Sequence, residues 1–351
     1  MSPYSSLPGR AFWRPAIADR HYTRFDDVAT GPYFRAEDRI ATAGSCFAQH
    51  IGCRLRDRGL GFMDLEPAPE GFGPAEARRH GFGLFSCRYG NIYTVRQLLQ
   101  LTHEAFGLRR PVDAIWSKDG RSYDALRPGV DPVGHASPDD VLLLRKHHLD
   151  KVRQLMTEMT LFVFTFGLTE AWESTEDGTI YPTAAGTIAG TFDQSKYRFR
   201  NFCYPELRDD FEEFWAFVKT INPDVRGILT VSPVPLTATA SGEHVLVATT
   251  YSKATLRAVA GDLATAHDEI TYFPSYELIA THPMRGLFFN PDMRTVSEAG
   301  VEYVMSHFFR DAAKPDVPPR GTTNGKPAES DEAGLDLLCD EGLLDQFAKT
   351  N

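Results

Sequence analysis

The chain has 351 residues, 42% hydrophobic and 24% charged, the balance of a globular protein with a sizeable core. A formal net charge of −10 sets up an acidic field that argues against nucleic acid and anionic membranes as partners. Five cysteines (Cys46, Cys53, Cys87, Cys203 and Cys339) show neither CxxC nor Cys/His metal spacing, so they read as thiols of a reducing compartment, with no zinc or other metal site expected. No apolar run approaches the roughly 18 residues of a spanning helix, and the opening MSPYSSLPGRAFWRP has no apolar signal region, so a cytoplasmic location is expected.

Residues 1–37, rich in aromatics, Arg and Pro, read as an irregular arm packed on a domain spanning 38–311. Arg39–Ala43 is predicted as a buried strand ending at Gly44. Cys46–Arg58 follows as a helix, with Phe47, Ile51 and Leu55 at helical spacing and Gly59 as its stop. Strand, tight turn and helix open a parallel-sheet α/β fold. Val95–Ala105 and Pro138–Thr157 read as helices, and Leu161–Phe166 (LFVFTF) as a central strand buried on both faces. Then come a helix over Asp209–Ile221, a strand over Gly227–Ser232, a helix over Ser252–His267, a last strand over Glu269–Phe273 and a last helix over Ser297–Phe309, capped by Ser297. Residues 312–351 form the tail: a flexible linker over 312–330, then an acidic amphipathic helix over 331–347 that either rests on the domain or binds a partner.

Ligands of open α/β sheets sit at the carboxyl ends of the strands. There the sequence places Gly44-Ser45-Cys46, Gly167–Glu170, Pro233–Ala238 and the long loop Pro274–Val296, with the Gly-Asn turn of Arg88–Tyr93 (RYGNIY) beside them. A nucleophile at a strand-to-helix turn gains twice. Helix N-terminal amides favour a thiolate, and the same amides can receive an oxyanion. Cys46 suits that role directly, whereas Ser45 depends more on a general base. The plainer alternative makes Cys46 a small buried hydrophobe and Ser45 an N-cap.

Glu170 and Trp172 are candidates to line the pocket, Trp172 by stacking on a sugar ring, with core packing as the alternative. Lys253 and Arg257 share a helix face that suits a phosphate or carboxylate, a solvated face being the default. Arg285 and Arg294 are better placed to meet an anionic substrate. His147 and His148 are expected in solvent, and His50 and His307 in structural roles. Gly-rich dinucleotide and P-loop patterns are absent, so no nucleotide cofactor is expected.

Gly44-Ser45-Cys46-Phe47-Ala48 spells the motif that names the GSCFA family. Thr230–Val234 (TVSPV), Tyr272–Glu277 (YFPSYE) and Gly300–Val304 (GVEYV) also look like family signatures, so the resemblance spans roughly residues 38–310. That family is similar to the SGNH/GDSL hydrolases, which implies a flavodoxin-like, three-layer α/β/α sandwich with a mainly parallel central sheet. The resemblance places Cys46 at the nucleophile position, with Ser45 where those hydrolases carry Asp. It assigns oxyanion-hole roles to Gly90 and to the Gly167-Leu168-Thr169-Glu170 block, where Thr169 replaces the usual Asn donor and Asn91 can compensate. Asp292 keeps the carboxylate of the last block, but Thr295 stands where the base His is expected. His282, earlier in the same loop, is the candidate base.

The expected function is that of an ester hydrolase acting through an acyl-enzyme on an O-acylated carbohydrate. One alternative is an O-acyltransferase with acyl-CoA as co-substrate, and no other cofactor. Another is a catalytically degenerate glycan-binding protein. The expected partner is a small-molecule or glycan ester.

Overall fold

A computed structural model describes residues 2–310 and 339–348. Its elements run β1 (Ile40–Gly44), α1 (Phe47–Asp57), α2 (Pro74–Arg79), α3 (Val95–Ala105), β2 (Ile115–Lys118), β3 (Arg121–Asp124), α4 (Pro138–Glu158), β4 (Leu161–Phe166), β5 (Glu170–Ser174), β6 (Ile180–Tyr181), β7 (Tyr197–Asn201), α5 (Tyr204–Ile221), β8 (Arg226–Val231), α6 (Val245–Ala266), β9 (Ile270–Tyr272), α7 (Ser275–Ala280) and α8 (Glu298–Phe308). The four predicted strands form one parallel sheet in the order β1-β4-β8-β9.

Strand alternation divides the core into two layers. Phe162, Phe164 and Phe166 of β4 pack with Leu98 of α3, Leu155 of α4, Phe214 of α5 and Leu256 of α6. Leu161 and Val163 face the other way, onto Phe47 and Ile51 of α1, Leu278 of α7 and Val304 of α8. Helices on both faces of a parallel sheet make the three-layer α/β fold. The arm contributes to the second layer: Phe25 and Tyr33 are buried there, and Tyr33 meets Phe273 edge-on. Among the described residues no helix is long and apolar enough to cross a membrane.

Several features depart from the sequence expectations. Two small antiparallel units, the β2–β3 hairpin and the sheet β6-β5-β7, are joined through Trp116, Tyr181 and Tyr197; their short, mixed runs carry little periodicity. Helix α6 starts at Val245, well before Ser252, because His244 Nδ1 accepts the Leu246 N–H (3.1 Å) and caps it. The β-branched stretch it captures reads poorly as helix in isolation. In the tail, Asp340–Phe347 is a 3₁₀ helix docked on the domain, with Asp340 and Glu341 buried, while the linker over 312–330 lies outside the described residues.

His148 was expected in solvent but is fully buried in α4, with its Nδ1 2.7 Å from Glu66 Oε2. Its neighbour Arg145 is also buried, between Glu104 and Asp124. The charged spacing of α4 hides a face that packs on other polar groups. Burial holds the His148 pKa down to about 4, with Arg127 adding to the effect, so it is neutral in the folded protein. An imidazole neutral when folded and free to protonate when unfolded favours unfolding as pH falls below 6.5, until the folded pKa is reached. Between pH 7 and pH 5 the native chain is therefore expected to lose about 2 kcal/mol at this position that His148→Gln does not lose. Urea titrations of both proteins at the two pH values read the difference, and a stability gap that stays constant with pH would contradict it.

Candidate active site

The turn that follows β1 is set by a close backbone approach. Gly44 has φ +137°, and a Cβ there would lie 2.4 Å from the Thr165 carbonyl oxygen of β4, so no other residue fits. The Ser45 N–H donates to that same oxygen (3.2 Å), and Ile92 N–H donates to Gly44 O (2.9 Å). Helical geometry begins at Cys46 (φ −51°, ψ −34°), the residue that opens α1, although its side chain makes no capping hydrogen bond to the first amides of the helix. Both Ser45 and Cys46 are buried, and the Ser45 hydroxyl has no hydrogen-bond partner. Ser45 is packed against Gly167, where a Cβ would lie 2.9 Å from the Ser45 Cβ.

Three charged elements converge on this turn. Lys253, from α6, is fully buried; its Nζ donates to Gly167 O (2.7 Å), and its charge interacts with Cys46 and Glu341. Arg294, from the loop before α8, reaches Cys339 Sγ with Nη2 (3.8 Å) and Glu341 Oε2 (3.2 Å), while its Nε has no partner. The docked tail supplies the third. Cys339 is hydrogen-bonded to Cys46, Asn91 Nδ2 donates to Asp340 Oδ2 (3.3 Å), and the Thr237 N–H donates to Glu341 Oε1 (3.0 Å).

The electrostatics follow from burial and from these pairings. The hydrogen bond to Cys339, burial and the negative charges of Cys339 and Glu341 push the Cys46 thiol well up. The hydrogen bond from Cys46 and the Arg294 guanidinium pull Cys339 down to about 5, so the single thiolate of the pair rests on Cys339 while the tail is docked. Burial pulls the Lys253 ammonium down to about 8, opposed by Glu341 and Cys46. It pushes Glu341 up to about 7 against the pull of Arg294, and Asp340 up to about 6. These groups titrate close to neutrality, as an acid–base site requires.

The other candidate residues are distributed as follows. Gly90, with φ +68°, precedes Asn91, whose Oδ1 accepts from Gln49 and whose Nδ2 holds the tail. The Thr169 hydroxyl donates to Asn201 Oδ1 (2.7 Å) and its N–H to Ser252 Oγ (3.1 Å). Asp292 accepts from the N–H groups of Arg294 and Thr295 (both 2.9 Å) and from the Thr295 hydroxyl (2.7 Å), so it shapes the loop that carries Arg294. Glu170 and Trp172 line a cavity of about 180 Å³ next to Glu341, shared with Leu168, Phe199 and Leu236. His282 stacks on Trp13 of the arm (5.3 Å) and, with Arg285, lines a separate cleft of about 330 Å³ that none of the residues around Cys46 lines. His50 and His307 are buried, each with its pKa held down to about 4 by burial.

Sequence reasoning passed over Cys339, Asp340, Glu341 and the burial of Lys253. One signal for Lys253 was present: it falls on the stripe Ala248, Ser252, Leu256, Val259, Ala260 and Leu263 that α6 buries. Arg257, one turn on, leaves that stripe to pair with Glu277 (2.5 Å). If Arg294 stabilises the thiolate of the Cys46–Cys339 pair, Arg294→Gln should raise the pH midpoint of its iodoacetamide alkylation by about one unit or more. Rates followed by peptide mapping across pH 4–9 measure this, and an unmoved midpoint would count against the assignment.

No curated protein matches the chain. The family model described as GSCFA family matches residues 39–308, from the first strand through the last helix and well over half of the 351 residues. The chain belongs to the GSCFA family.

Proposed function

We propose that the protein is an SGNH-like acyl-transfer enzyme, an ester hydrolase that uses Cys46 as nucleophile on an O-acylated carbohydrate. The observation that carries this reading is the setting of Cys46: a buried thiol at a helix start that Lys253 and Arg294 influence electrostatically, and whose pKa is held up in the resting chain by burial and by Cys339 and Glu341, two groups that belong to the tail. Once Cys339 and Glu341 leave with the tail, the two cations and the helix start favour the thiolate at Cys46. Lys253 takes the proton-shuttling role for which the sequence offered His282, since a buried amine titrating near 8 can accept and return a proton at neutral pH.

With the tail withdrawn, the Cys46 thiolate attacks the ester carbonyl and forms a C–S bond. The oxyanion is received by the amides of Cys46 and Gly90, helped by Asn91 once it is released from Asp340. Collapse breaks the C–O bond, and the leaving alkoxide takes a proton from the Lys253 ammonium. Water then gives its proton to the Lys253 amine as it attacks the thioester, which releases the acid and regenerates the thiolate. The cavity beside Glu341 suits a sugar ring, offering the Trp172 face and the Glu170 carboxyl, the latter held by the Thr239 hydroxyl (2.7 Å). A reducing, cytoplasmic setting would keep the five cysteines in the free state they have here.

One observation favours transfer over hydrolysis. Cys46 is only 4% exposed with the tail docked, so a tail that closes again over the acyl-enzyme would shield the thioester from water until an acceptor hydroxyl arrived, with acyl-CoA as the donor. Intact-mass and peptide analysis after treatment with p-nitrophenyl acetate tests the common step. The expected result is a single acetyl adduct on Cys46, absent from Cys46→Ala and released by water at least tenfold more slowly in Lys253→Met. An adduct on Ser45 that persists in Cys46→Ala would move the nucleophile, and no adduct at either residue would favour a glycan-binding protein without turnover.

A further inference from the structure

The carboxylate of Glu341 does not rest on the surface of the domain; it is inserted between donors from two separate loops and lies within the field of a buried cation from a helix. The Thr237 N–H, after β8, donates to Oε1 (3.0 Å), and Arg294, before α8, donates to Oε2 (3.2 Å). Lys253 of α6 adds its charge. The Glu341 N–H donates to the buried Tyr93 hydroxyl (3.3 Å), so the backbone of the segment is held as well. The domain has room built for it: at Gly129 a Cβ would lie 2.0 Å from Asp340 Oδ1. Beyond Glu341, Leu344 reaches the cavity lined by Trp172 and Phe199.

A surface ion pair would need none of this. Fully burying an ammonium is costly unless an anion or several hydrogen bonds compensate it. Within the domain proper, Lys253 has one carbonyl, Gly167 O, and the anion comes from the tail. Removing the tail frees the Thr237 N–H and Arg294 Nη2 that hold the Glu341 carboxylate, beside an Arg294 Nε that is already unpartnered, and takes away the anion that acts on the buried Lys253. Convergent donors around a water-poor spot are the features of a carboxylate-binding site.

We propose that Lys253, Arg294 and the Thr237 N–H form a carboxylate-binding subsite next to Cys46, which Glu341 occupies in the resting chain and a carboxylate on the substrate occupies during turnover. The substrate class is then an acyl donor or acceptor that carries a carboxylate close to the reacting carbonyl, such as a half-ester of a dicarboxylic acid or an acylated acidic sugar. Its carboxylate displaces Glu341, and the tail leaves with it. The substrate assignment rests on the acyl-transfer reading above; the subsite itself does not.

Two alkylating reagents of nearly the same size separate the two claims. Iodoacetate carries a carboxylate and iodoacetamide does not, and both alkylate a thiolate by displacing iodide. The ratio of their rates at Cys46, read by peptide mapping on the full chain, cancels changes in thiol pKa and in access. Glu341→Ala empties the subsite and is expected to raise the iodoacetate-to-iodoacetamide ratio about tenfold over the native chain. Adding Arg294→Gln should return it to near the native value. Should Glu341→Ala fail to fold by circular dichroism, Glu341→Gln keeps the shape, removes the charge and should shift the ratio in the same direction. An unchanged ratio in the folded variant overturns the subsite. A raised ratio without an acetyl adduct on Cys46 keeps the subsite and removes the acyl-transfer reading, and an adduct with an unchanged ratio does the reverse.

Discussion

A lysine ammonium buried in the domain needs an anion, and the construction of the site follows from that need. Lys253 lies on the inward stripe of α6, where a Leu or Ala would pack without cost. Leaving a charge uncompensated there would cost several kcal/mol, more than most single contacts return. The Gly167 carbonyl offsets part of it. The rest comes from Glu341 and from the single negative charge of the Cys46–Cys339 pair, so cation, carboxylate and thiols belong to one electrostatic unit. Altering any one of them shifts the protonation of the others.

The sheet makes this unit possible by bringing distant segments to one edge. Cys46 follows β1, Gly167 follows β4, Thr237 lies beyond β8, and Arg294 sits on the loop after β9 and α7. Parallel strands deliver all these ends to the same side of the sheet, and the close fit of Gly44 against Thr165 fixes the angle at which α1 departs. Asp292 and Thr295, bonded to each other, brace the loop that presents Arg294. Thr295 is thus a loop brace, and the cations near Cys46, Lys253 and Arg294, approach from α6 and from this braced loop.

The frame was legible because long, uniform patterns carry it. LFVFTF is apolar throughout since both faces of β4 are covered, and the 3.6-residue spacing of Phe47, Ile51 and Leu55 reports one buried side of α1. The Gly-Ser-Cys turn was legible for the same reason, as a strand end meeting a helix start. What the sequence hid was pairing over long distances. Nothing near His148 announces Glu66, 82 residues away, and nothing near Cys46 announces Cys339. A charged helix such as α4 reads as solvated when its charges are neutralised by partners from other elements, and an acidic tail reads as a loose helix when its receptor is assembled from four loops. His282 shows the converse: a histidine in a suitable loop, drawn instead onto Trp13 of the arm.

The central claim is that the tail closes the site with Cys339 in contact with Cys46. Oxidised glutathione converts two adjacent thiols to a disulfide while it is itself reduced to two thiols, and adjacency governs which pair reacts. Treating the full native chain with it and mapping the cross-linked peptides without reduction should reveal a Cys46–Cys339 bond as the principal product. Cys339 linked only to glutathione, with Cys46 recovered as a free thiol, would contradict the account.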